Sequence, residues 1–324
     1  MNRPIVSTIT PCFNMAKYLD LFLKKLPCQT FFDQLEVILD HNAPTEEELH
    51  LISDFQKKFP GHLKHIHIDH VDPIGVSMNR CIENAAGDFL TIWNVDDLRT
   101  PDSIESQVKV LQNNPDVSIV HGPYRIVGKF GSETGILVDN SQLPESELTR
   151  GMIIGPFFMF RRTLCEKAGV FDEQLRSGAD FDFAVRLALH GKAASTKNEL
   201  GYYLNEGLGA STKPNSYQPI ECTVIEFRYG IYDKINYDLL PQSLKYNILN
   251  VLQNQEWIPI NRFIPDFDNF IDNRFKKWFL TGIKKYLDNK VFIEPIKWII
   301  FNIKQIITKT KTNIRILFRN KNDK

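Results

Sequence analysis

The sequence predicts an α/β protein with a largely parallel β-sheet, helices on both faces of the sheet and a helical C-terminal extension. In the first half of the chain, short apolar runs typical of buried strands alternate with segments whose apolar residues recur at helical spacing. Repeated β-α-β units of this kind imply parallel strands. Beyond Pro214 the sequence becomes helical and rich in aromatic residues, without strand alternation. We therefore expect an α/β domain at residues 1–214 and a helical region at residues 215–290.

Each predicted strand is a short apolar run that ends at polar or turn-forming residues. Such runs between turn signals are typical of strands that are buried on both faces of a sheet. The predicted strands are residues 5–10, 35–40, 63–68, 88–93 and 117–120, with a further strand at residues 157–160. The segment from about residue 132 to residue 155 shows neither the pattern of a strand nor that of a helix, and we expect it to be rich in loops.

The predicted helices are marked by start and stop signals as well as by periodicity. Thr45 and Glu48 have the spacing of a capping box, in which each side chain accepts a hydrogen bond from the backbone N–H of the other residue. Pro101 suits the first turn of a helix, whereas Gly87 and Gly169 suit the residue after the last turn. The predicted helices are residues 15–26, 45–59, 76–86, 101–113, 162–168 and 181–190.

The composition is that of a globular protein. Hydrophobic residues make up 43% of the 324 residues and charged residues 24%, which is ordinary for folded domains. The N-terminus has no apolar stretch typical of a secretory signal, and the five cysteines are scattered without a C-x-x-C pair. These features predict a cytoplasmic protein with reduced thiols, without disulfides or a zinc site. His65 and His67 follow strand alternation, so we expect surface or edge-strand residues there rather than zinc ligands.

Charge is unevenly distributed, although 39 basic and 39 acidic residues balance over the whole chain. Residues 290–324 contain nine Lys or Arg and two acidic residues, so the remaining chain carries a net charge of −7. No apolar run there reaches the ~18–20 residues that span a bilayer, and the apolar residues recur at helical spacing. Residues 291–324 are therefore predicted to form a basic amphipathic helix, which lies on the inner face of the cytoplasmic membrane or docks on the protein itself. Nucleic acid is not expected as a partner, because no nucleic-acid-binding module accompanies the basic residues.

The most informative motif follows the fourth predicted strand. The apolar run at residues 88–93 ends abruptly in NVDD, residues 94–97. In an open α/β sheet, ligands bind beyond the carboxyl ends of the strands. Two adjacent carboxylates there can hold a hard divalent cation, which can in turn hold a diphosphate. The alternative is an acidic turn that leads into the helix predicted at residues 101–113.

A series of segments resembles, in order, the motifs of family 2 glycosyltransferases with the GT-A fold. They are STITPCFN (7–14), EVILDHNAPT (36–45), GVSMN (75–79), AAG (85–87), NVDD (94–97), FRR (160–162), GVFDE (169–173) and ADFD (179–182) with Arg186. The resemblance covers about residues 4–212. It implies a GT-A fold, in which the mostly parallel sheet is Rossmann-like, and an enzyme that transfers a sugar from a nucleoside-diphosphate sugar.

The resemblance also implies where the metal binds. Asp96 matches the metal-binding carboxylate of the family's D-x-D motif, and Asp97 would support the Mg²⁺ or Mn²⁺ ion or contact the donor sugar. Asn94 stands where the family usually has Asp, which predicts weaker metal binding because one negative charge is missing. Many family members have a metal-binding His after the last core strand. Here Asn205 or Glu206 would have to replace it.

By the same resemblance, the base and ribose of the donor are recognised at the ends of the first two strands. The residues assigned to donor binding are Pro11, Phe13, Asn14, Asp40, His41, Asn79, Asn94 and Asp97. The family usually has a carboxylate where this chain has His41, and Asp40 lies one residue earlier, so either residue is a candidate for contacting the base. Arg80, beside Asn79, would approach the pyrophosphate or remain solvated. The expected donor is a UDP-sugar.

On the acceptor side, Asp180 matches the family's general base. That base takes the proton of the acceptor hydroxyl as its oxygen attacks the anomeric carbon from the face opposite the leaving group. An N-cap role is the alternative for Asp180, and Asp182 is expected to be a structural residue at the start of the helix. The predicted reaction is therefore inverting transfer to a glycan or lipid-linked acceptor, in the synthesis of a cell-surface polysaccharide.

Rival interpretations come from different classes of protein. A GT-A-like binding or scaffold protein with weak catalysis is favoured by Asn94, by the missing His and by the shifted position of Asp40. A sugar nucleotidyltransferase is disfavoured because the Gly-rich, basic segment expected after the first strand is missing. A Rossmann dehydrogenase is disfavoured because no G-x-G-x-x-G follows Thr10.

Overall fold

The structure, a computed structural model, describes residues 3–142, 154–207, 209 and 212–289. The chain divides into two compact units, Met1–Asp268 and Asn269–Lys324. All the site residues predicted from the sequence belong to the first unit. The basic amphipathic helix predicted at residues 291–324 lies outside the described residues. Within the described part, no helix is long and apolar enough to span a bilayer.

The strands are short, as the apolar runs predicted. They are β1 (Val6–Cys12), β2 (Leu35–Asn42), β3 (Leu63–Ile68), β4 (Phe89–Ile92), β5 (Leu98–Arg99), β6 (Val117–His121), β7 (Tyr124–Val127), β8 (Ile136–Val138), β9 (Met159–Arg161), β10 (Lys192–Ser195), β11 (Gly201–Leu204), β12 (Asn250–Gln253) and β13 (Glu256–Pro259). Seven of them form the central sheet, in the order β10-β6-β9-β4-β1-β2-β3. Its strands are parallel except for β9, which runs antiparallel between β4 and β6. The predicted largely parallel sheet is confirmed.

The helices alternate with the strands through the first half of the chain. They are α1 (Ala16–Lys25), α2 (Glu46–Lys58), α3 (Ile74–Asn84), α4 (Ser103–Asn113), α5 (Cys165–Ala168), α6 (Ala179–Ala188), α7 (Gln218–Arg228), α8 (Leu240–Ser243) and α9 (Phe267–Asn289). The capping box of α2 is present, because Thr45 Oγ1 accepts from the Glu48 N–H at 3.3 Å and Glu48 Oε2 accepts from the Thr45 N–H at 2.9 Å. Differences of one or two residues from the predicted bounds are usual at helix ends.

The hydrophobic core fixes the end of β4. Leu19 and Phe22 on α1 are fully buried in the same apolar cluster as Val37 on β2 and Trp93. Phe22 meets Trp93 edge to face, with ring centroids 5.5 Å apart. Burial of an aromatic or aliphatic side chain typically contributes about 1.5–3 kcal/mol. Since Trp93 directly follows β4 and is fully buried, the NVDD turn begins from an anchored residue.

Gly87 lets β4 start beside β1. Its N–H donates to Ser7 Oγ at 2.8 Å, and a Cβ at this position would lie 2.6 Å from the backbone nitrogen of Ser7. A side chain at residue 87 would therefore push the connection between α3 and β4 away from the sheet. This contact gives a physical reason for glycine in the AAG motif.

A second sheet, in the order β5-β11-β7-β8, is attached to the NVDD turn. β5 comes directly after the turn and pairs antiparallel with β11. β11 in turn pairs parallel with β7, and β8 is the antiparallel edge strand. β8 lies in the segment that the sequence predicts to be rich in loops. The second sheet brings the end of β11 to the acidic turn.

The C-terminal part of the first unit departs from the prediction of helices alone. β12 and β13 form an antiparallel hairpin there. Its two-residue turn consists of Asn254 and Gln255, with φ of 50° and 64°. Positive φ at both positions is the requirement of a type I′ turn, which usually contains glycine. Because this turn contains no glycine, the sequence did not reveal the hairpin.

The compact units divide after Asp268 rather than near residue 215. α7 is tied to the preceding domain through Arg228, which donates to Asp182 at 2.6 Å and to Asp172 at 2.9 Å. All three side chains are fully buried. Residues 215–268 therefore fold with the α/β part of the chain, and the functional boundary near residue 215 stays a prediction.

Candidate active site

Polar segments from three neighbouring strands meet at one edge of the central sheet. β1, β2 and β4 are adjacent and parallel, so their carboxyl ends lie at the same edge. Pro11 lies beside Asp40 in the register of β1 and β2, and Cys12 lies beside His41. This is the edge at which ligands bind in open α/β sheets.

The NVDD turn is held by hydrogen bonds to both of its ends. Trp93 Nε1 donates to the carbonyl of Asp97 at 3.0 Å, and Asn94 Nδ2 donates to Asp97 Oδ2 at 3.2 Å. Asp97 Oδ1 accepts from the N–H of Leu204 at 3.0 Å, at the end of β11. Asp97 is buried, whereas Asp96 is half-buried. Asp96 is thus the more accessible of the two carboxylates.

The electrostatics of the turn fit a divalent cation. Burial raises the pKa of Asp96, and the charge of Glu206 raises it further. Burial and the neighbouring Asp96 raise the pKa of Asp97 well above its ordinary value. A cation would offset both effects, and carboxylate oxygens are the ligands that Mg²⁺ and Mn²⁺ prefer. In the described part of the chain, no side chain donates a hydrogen bond to Asp96, so it is available for a metal.

Glu206 follows β11 and lies on the same side of the turn. Lys17 Nζ donates to both of its carboxylate oxygens at 3.0 Å, and the Tyr18 hydroxyl also donates to it. The hydrogen bonds from Tyr18 and Lys17 lower the pKa of Glu206. Since its charge influences Asp96, Glu206 is close enough to belong to the same electrostatic cluster. Its role as a metal ligand stays a prediction.

Asp40 lies near the carboxyl end of β2 and is fully buried. It accepts hydrogen bonds from Asn42 Nδ2 at 2.7 Å, from the Ser77 hydroxyl, and from Arg80 Nη1 at 2.9 Å. Arg80 also pairs with Asp72. Burial raises the pKa of Asp40, against the effect of these donors. Arg80 is therefore engaged by two carboxylates.

His41 is also fully buried and lies in a small polar cluster with Cys12 and Glu48. Its Nε2 is 3.4 Å from Glu48 Oε2, and burial lowers its pKa. One ligand atom from each of the three residues lies within 4.8 Å of the others. Both oxygens of Glu48 already accept hydrogen bonds, from the N–H groups of Met15 and Thr45. We therefore assign the cluster to packing among β1, β2 and α2 rather than to a metal.

The other residues assigned to the donor differ in their surroundings. Phe13 is 47% exposed, and Asn14 is exposed with a φ of 55°. Asn79 is buried and faces the loop after α5, where its amide donates to Phe171 O at 3.0 Å and to Glu173 Oε1 at 2.9 Å. These bonds make Asn79 a link between α3 and that loop. Its contact with a donor stays a prediction, as do those of the other assigned residues.

Asp180 lies in the first turn of α6 and is half-buried. The N–H of Phe181 donates to its Oδ1 at 2.8 Å. Burial raises the pKa of Asp180 to about 6, with a further contribution from the charge of Glu221. A carboxylate with such a pKa is ionised at neutral pH and is a better proton acceptor than an ordinary Asp. Sequence reasoning missed Glu221, which lies 41 residues along the chain on α7 and belongs to no motif.

Asp182 has a different environment from Asp180. It is fully buried and pairs with Arg186 at 2.7 Å and with Arg228 at 2.6 Å, and it accepts from the Tyr229 hydroxyl at 2.7 Å. Although burial raises its pKa, the two arginines hold the pKa below the ordinary value. These contacts agree with the structural role expected of Asp182.

The model of the family described as glycosyl transferase family 2 matches residues 7–169, half of the chain. The chain belongs to glycosyl transferase family 2. The hyaluronan synthase of Pasteurella multocida is 26% identical over 305 residues, which cover 89% of this chain and 31% of that protein. The chain spans about a third or less of the length of several curated relatives that it matches.

Solved structures share the fold of this family 2 chain. The mannosyltransferase PcManGT from Pyrobaculum calidifontis, in complex with GDP-Man and Mn²⁺, matches with a TM-score of 0.53 at 15% identity, over 95% of this chain and 81% of that one. S. aureus TarS 1-349, in complex with UDP-GlcNAc, matches with a TM-score of 0.52 at 16% identity, over 75% and 79% of the two chains. At these identities the likeness concerns the fold alone, and it confirms the GT-A class.

Proposed function

We propose that this family 2 enzyme transfers a sugar from a UDP-sugar to a hydroxyl of a glycan or lipid-linked acceptor, with inversion and with a divalent cation. The proposal depends above all on the adjacent carboxylates Asp96 and Asp97 at the carboxyl edge of the central sheet. Burial raises the pKa of both carboxyl groups, with a further contribution from the charge of Glu206 at Asp96 and from the charge of Asp96 at Asp97. A site of this kind favours a cation, and a cation there favours a diphosphate.

Asp96 would bind the cation, and the charge of Asp97 would add to the attraction. When bound, the cation supplies charge neutralisation for the diphosphate leaving group. Asp97 is itself oriented by the N–H of Leu204 and by Asn94. Exposed Phe13 and Asn14 at the end of β1 are assigned to the base and ribose of the donor.

Asp180 would act as the general base. The acceptor oxygen forms a bond to the anomeric carbon while the bond from that carbon to the diphosphate oxygen breaks, and the hydroxyl proton passes to the Asp180 carboxylate. Attack from the face opposite the leaving group inverts the anomeric configuration. Positioned bases contribute ~10²–10⁴-fold to the rate. The raised pKa of about 6 suits this role.

Structural neighbours support a nucleoside-diphosphate sugar as the donor, and curated relatives support a polysaccharide as the acceptor. TarS is described as a complex with UDP-GlcNAc, and PcManGT as a complex with GDP-Man and Mn²⁺. The synthases for chondroitin and hyaluronan, each a polysaccharide, match 79% and 89% of this chain. We therefore propose a role in the synthesis of a cell-surface polysaccharide. Residues 291–324 would hold the enzyme at the inner face of the cytoplasmic membrane.

A binding protein with weak catalysis is the second candidate, and it is favoured by Asn94 in the metal-binding motif. Turnover distinguishes the two candidates. A panel of nucleotide sugars should be assayed for hydrolysis and for transfer, with Mg²⁺, with Mn²⁺ and with EDTA. We expect metal-dependent release of the nucleoside diphosphate from one donor, with transfer to an oligosaccharide acceptor. Tight donor binding without metal-dependent turnover, across the panel and a range of acceptors, would instead support the binding protein.

A further inference from the structure

Glu221 on α7 accepts hydrogen bonds from a turn that belongs to the acceptor side of the site. Its carboxylate is fully buried. It accepts from the N–H of Arg176 at 2.9 Å, from the N–H of Ser177 at 2.7 Å and from the N–H of Gly178 at 2.8 Å. The Tyr246 hydroxyl donates a fourth bond at 3.1 Å. Three successive backbone N–H groups therefore converge on one side chain.

The turn formed by residues 176–178 leads directly into α6, whose second residue is Asp180. Backbone N–H groups that are shielded from water and left without an acceptor are unfavourable, so the turn depends on the carboxylate. Gly178 allows α7 to approach closely, because a Cβ there would lie 2.9 Å from Ile225 Cδ1 and 3.2 Å from Glu221 Cβ. The entry to α6, and with it the backbone of Asp180, is thus fixed from α7.

Glu221 also lies within electrostatic range of Asp180. After burial, its negative charge contributes to raising the pKa of Asp180. Cys222, the next residue on α7, interacts electrostatically with Asp180 as well, and burial raises the pKa of that thiol, which keeps it neutral. The guanidinium of Arg176 is engaged by Tyr217, whose hydroxyl accepts from it at 2.8 Å. Glu221 is therefore the carboxylate on α7 whose charge acts on Asp180.

We propose that Glu221 is a positioning residue for the general base Asp180, which it orients through the turn at residues 176–178. The proposal rests on the proposed function, because it takes Asp180 as the base. It extends the active site to α7, beyond the residues 7–169 that match the family model. Glu221 acts through Asp180 and does not itself contact the substrate.

The decisive variant is Glu221→Gln in the full-length protein. An amide oxygen in the place of Oε2 can still accept from the N–H groups of Arg176, Ser177 and Gly178. The bonds that Arg176 and Tyr246 donate to Oε1 are lost, and so is the negative charge. We expect UDP and Mn²⁺ to bind with unchanged affinity, and kcat to fall by about tenfold or more, since small misplacements of a catalytic group carry large rate penalties. The acid limb of the kcat/KM profile should move to lower pH, because the charge that raises the pKa of Asp180 is gone.

Glu226→Gln is the matched control, because Glu226 is a half-buried carboxylate on the same helix with a pKa raised by burial to about 7. It should leave both kcat and the acid limb unchanged. The proposal would be overturned if the acid limb of the Glu221→Gln profile coincided with that of the wild type. A shift in the Glu226→Gln profile equal to that of Glu221→Gln would also overturn it, because the effect would then belong to the helix as a whole.

Two further variants keep the test decisive. If Glu221→Gln does not fold, Tyr246→Phe removes one donor to the carboxylate and leaves the backbone bonds. Its acid limb should then move to higher pH, and an unchanged limb would contradict the proposal. Asp180→Asn distinguishes a failure of the proposed function from a failure of the positioning role. If Asp180→Asn retains wild-type turnover, the proposed function fails. If Asp180→Asn loses turnover while the pH profile of Glu221→Gln equals that of the wild type, the base assignment stands and the positioning role fails.

Discussion

Asp97 and Leu204 are joined by a hydrogen bond of 3.0 Å between the Asp97 carboxylate and the Leu204 N–H. The bond connects the turn after β4 of the central sheet to the end of β11 in the second sheet. Because the Leu204 N–H and the Asn94 amide both donate to Asp97, this buried carboxylate has a fixed orientation. Asp96, the preceding residue of the same turn, is left half-buried and available. The two carboxylates of the motif therefore have different surroundings.

Asp96→Ala should abolish metal-dependent donor binding without unfolding the protein. Removal of the accessible carboxylate leaves the cation without its main ligand. We expect the affinity for UDP in the presence of Mn²⁺ to fall by about 100-fold or more, since changes even behind the ligands of metal sites cost 10–100-fold. Isothermal titration calorimetry measures this directly. Asp88→Ala, at the other end of β4 and 59% exposed, is the control and should bind normally. Equal affinities in the two variants would contradict the metal assignment.

Asp180→Asn should retain donor and metal binding but lose ~10²–10⁴-fold in kcat, because the acceptor proton has no base to receive it. The wild-type pH profile gives a second measurement. The pKa of Asp180 is raised to about 6, and a base works only when deprotonated, so log kcat/KM should fall as the pH falls through about 6. A profile that stays flat down to pH 5 would exclude Asp180 as the base whose ionisation limits the rate.

Arg228→Met should destabilise the fold far more than loss of a surface pair. It removes the ion-pair partner of Asp172 and one of the two arginine partners of Asp182, and both carboxylates are fully buried. Breaking a buried ion pair in this way typically costs 3–5 kcal/mol. The free energy of unfolding from urea titration measures the loss. Arg3→Ala, whose pair with Asp88 is exposed, should change that free energy by less than about 1 kcal/mol. Comparable losses in both variants would mean that the buried network contributes little.

Deletion of residues 291–324 should release the enzyme from anionic vesicles while the donor is still hydrolysed. Nine Lys or Arg and two acidic residues lie in residues 290–324, and each basic residue near an anionic surface contributes ~1 kcal/mol. Exposed charges are screened over ~8–10 Å at physiological ionic strength, so binding should weaken with salt. Flotation of both forms with vesicles containing phosphatidylserine, at low and high salt, measures the effect. Full-length protein that stays unbound, or a truncated protein that unfolds, would favour a helix docked on the protein.

The sequence by itself determined the alternating β-α pattern, the largely parallel sheet and the motif at the end of β4. These features are encoded locally, by apolar runs, by capping residues such as Thr45 and Glu48, and by the abrupt change from Trp93 to NVDD. Local signals of this kind depend on neighbours within a few residues, so a single sequence is enough to recognise them.

Only the tertiary structure decided which polar residues are accessible to a ligand and which are bonded to other parts of the protein. Asp40, His41 and Asn79 stand in motifs that suggest contacts with the donor, yet all three are buried and engaged with protein partners. Glu221 belongs to no motif and lies 41 residues after Asp180 in the chain. From α7 it nevertheless accepts hydrogen bonds from the turn that precedes Asp180. Burial and long-range hydrogen bonds depend on how distant segments pack, and packing of that kind leaves no periodic trace in the chain.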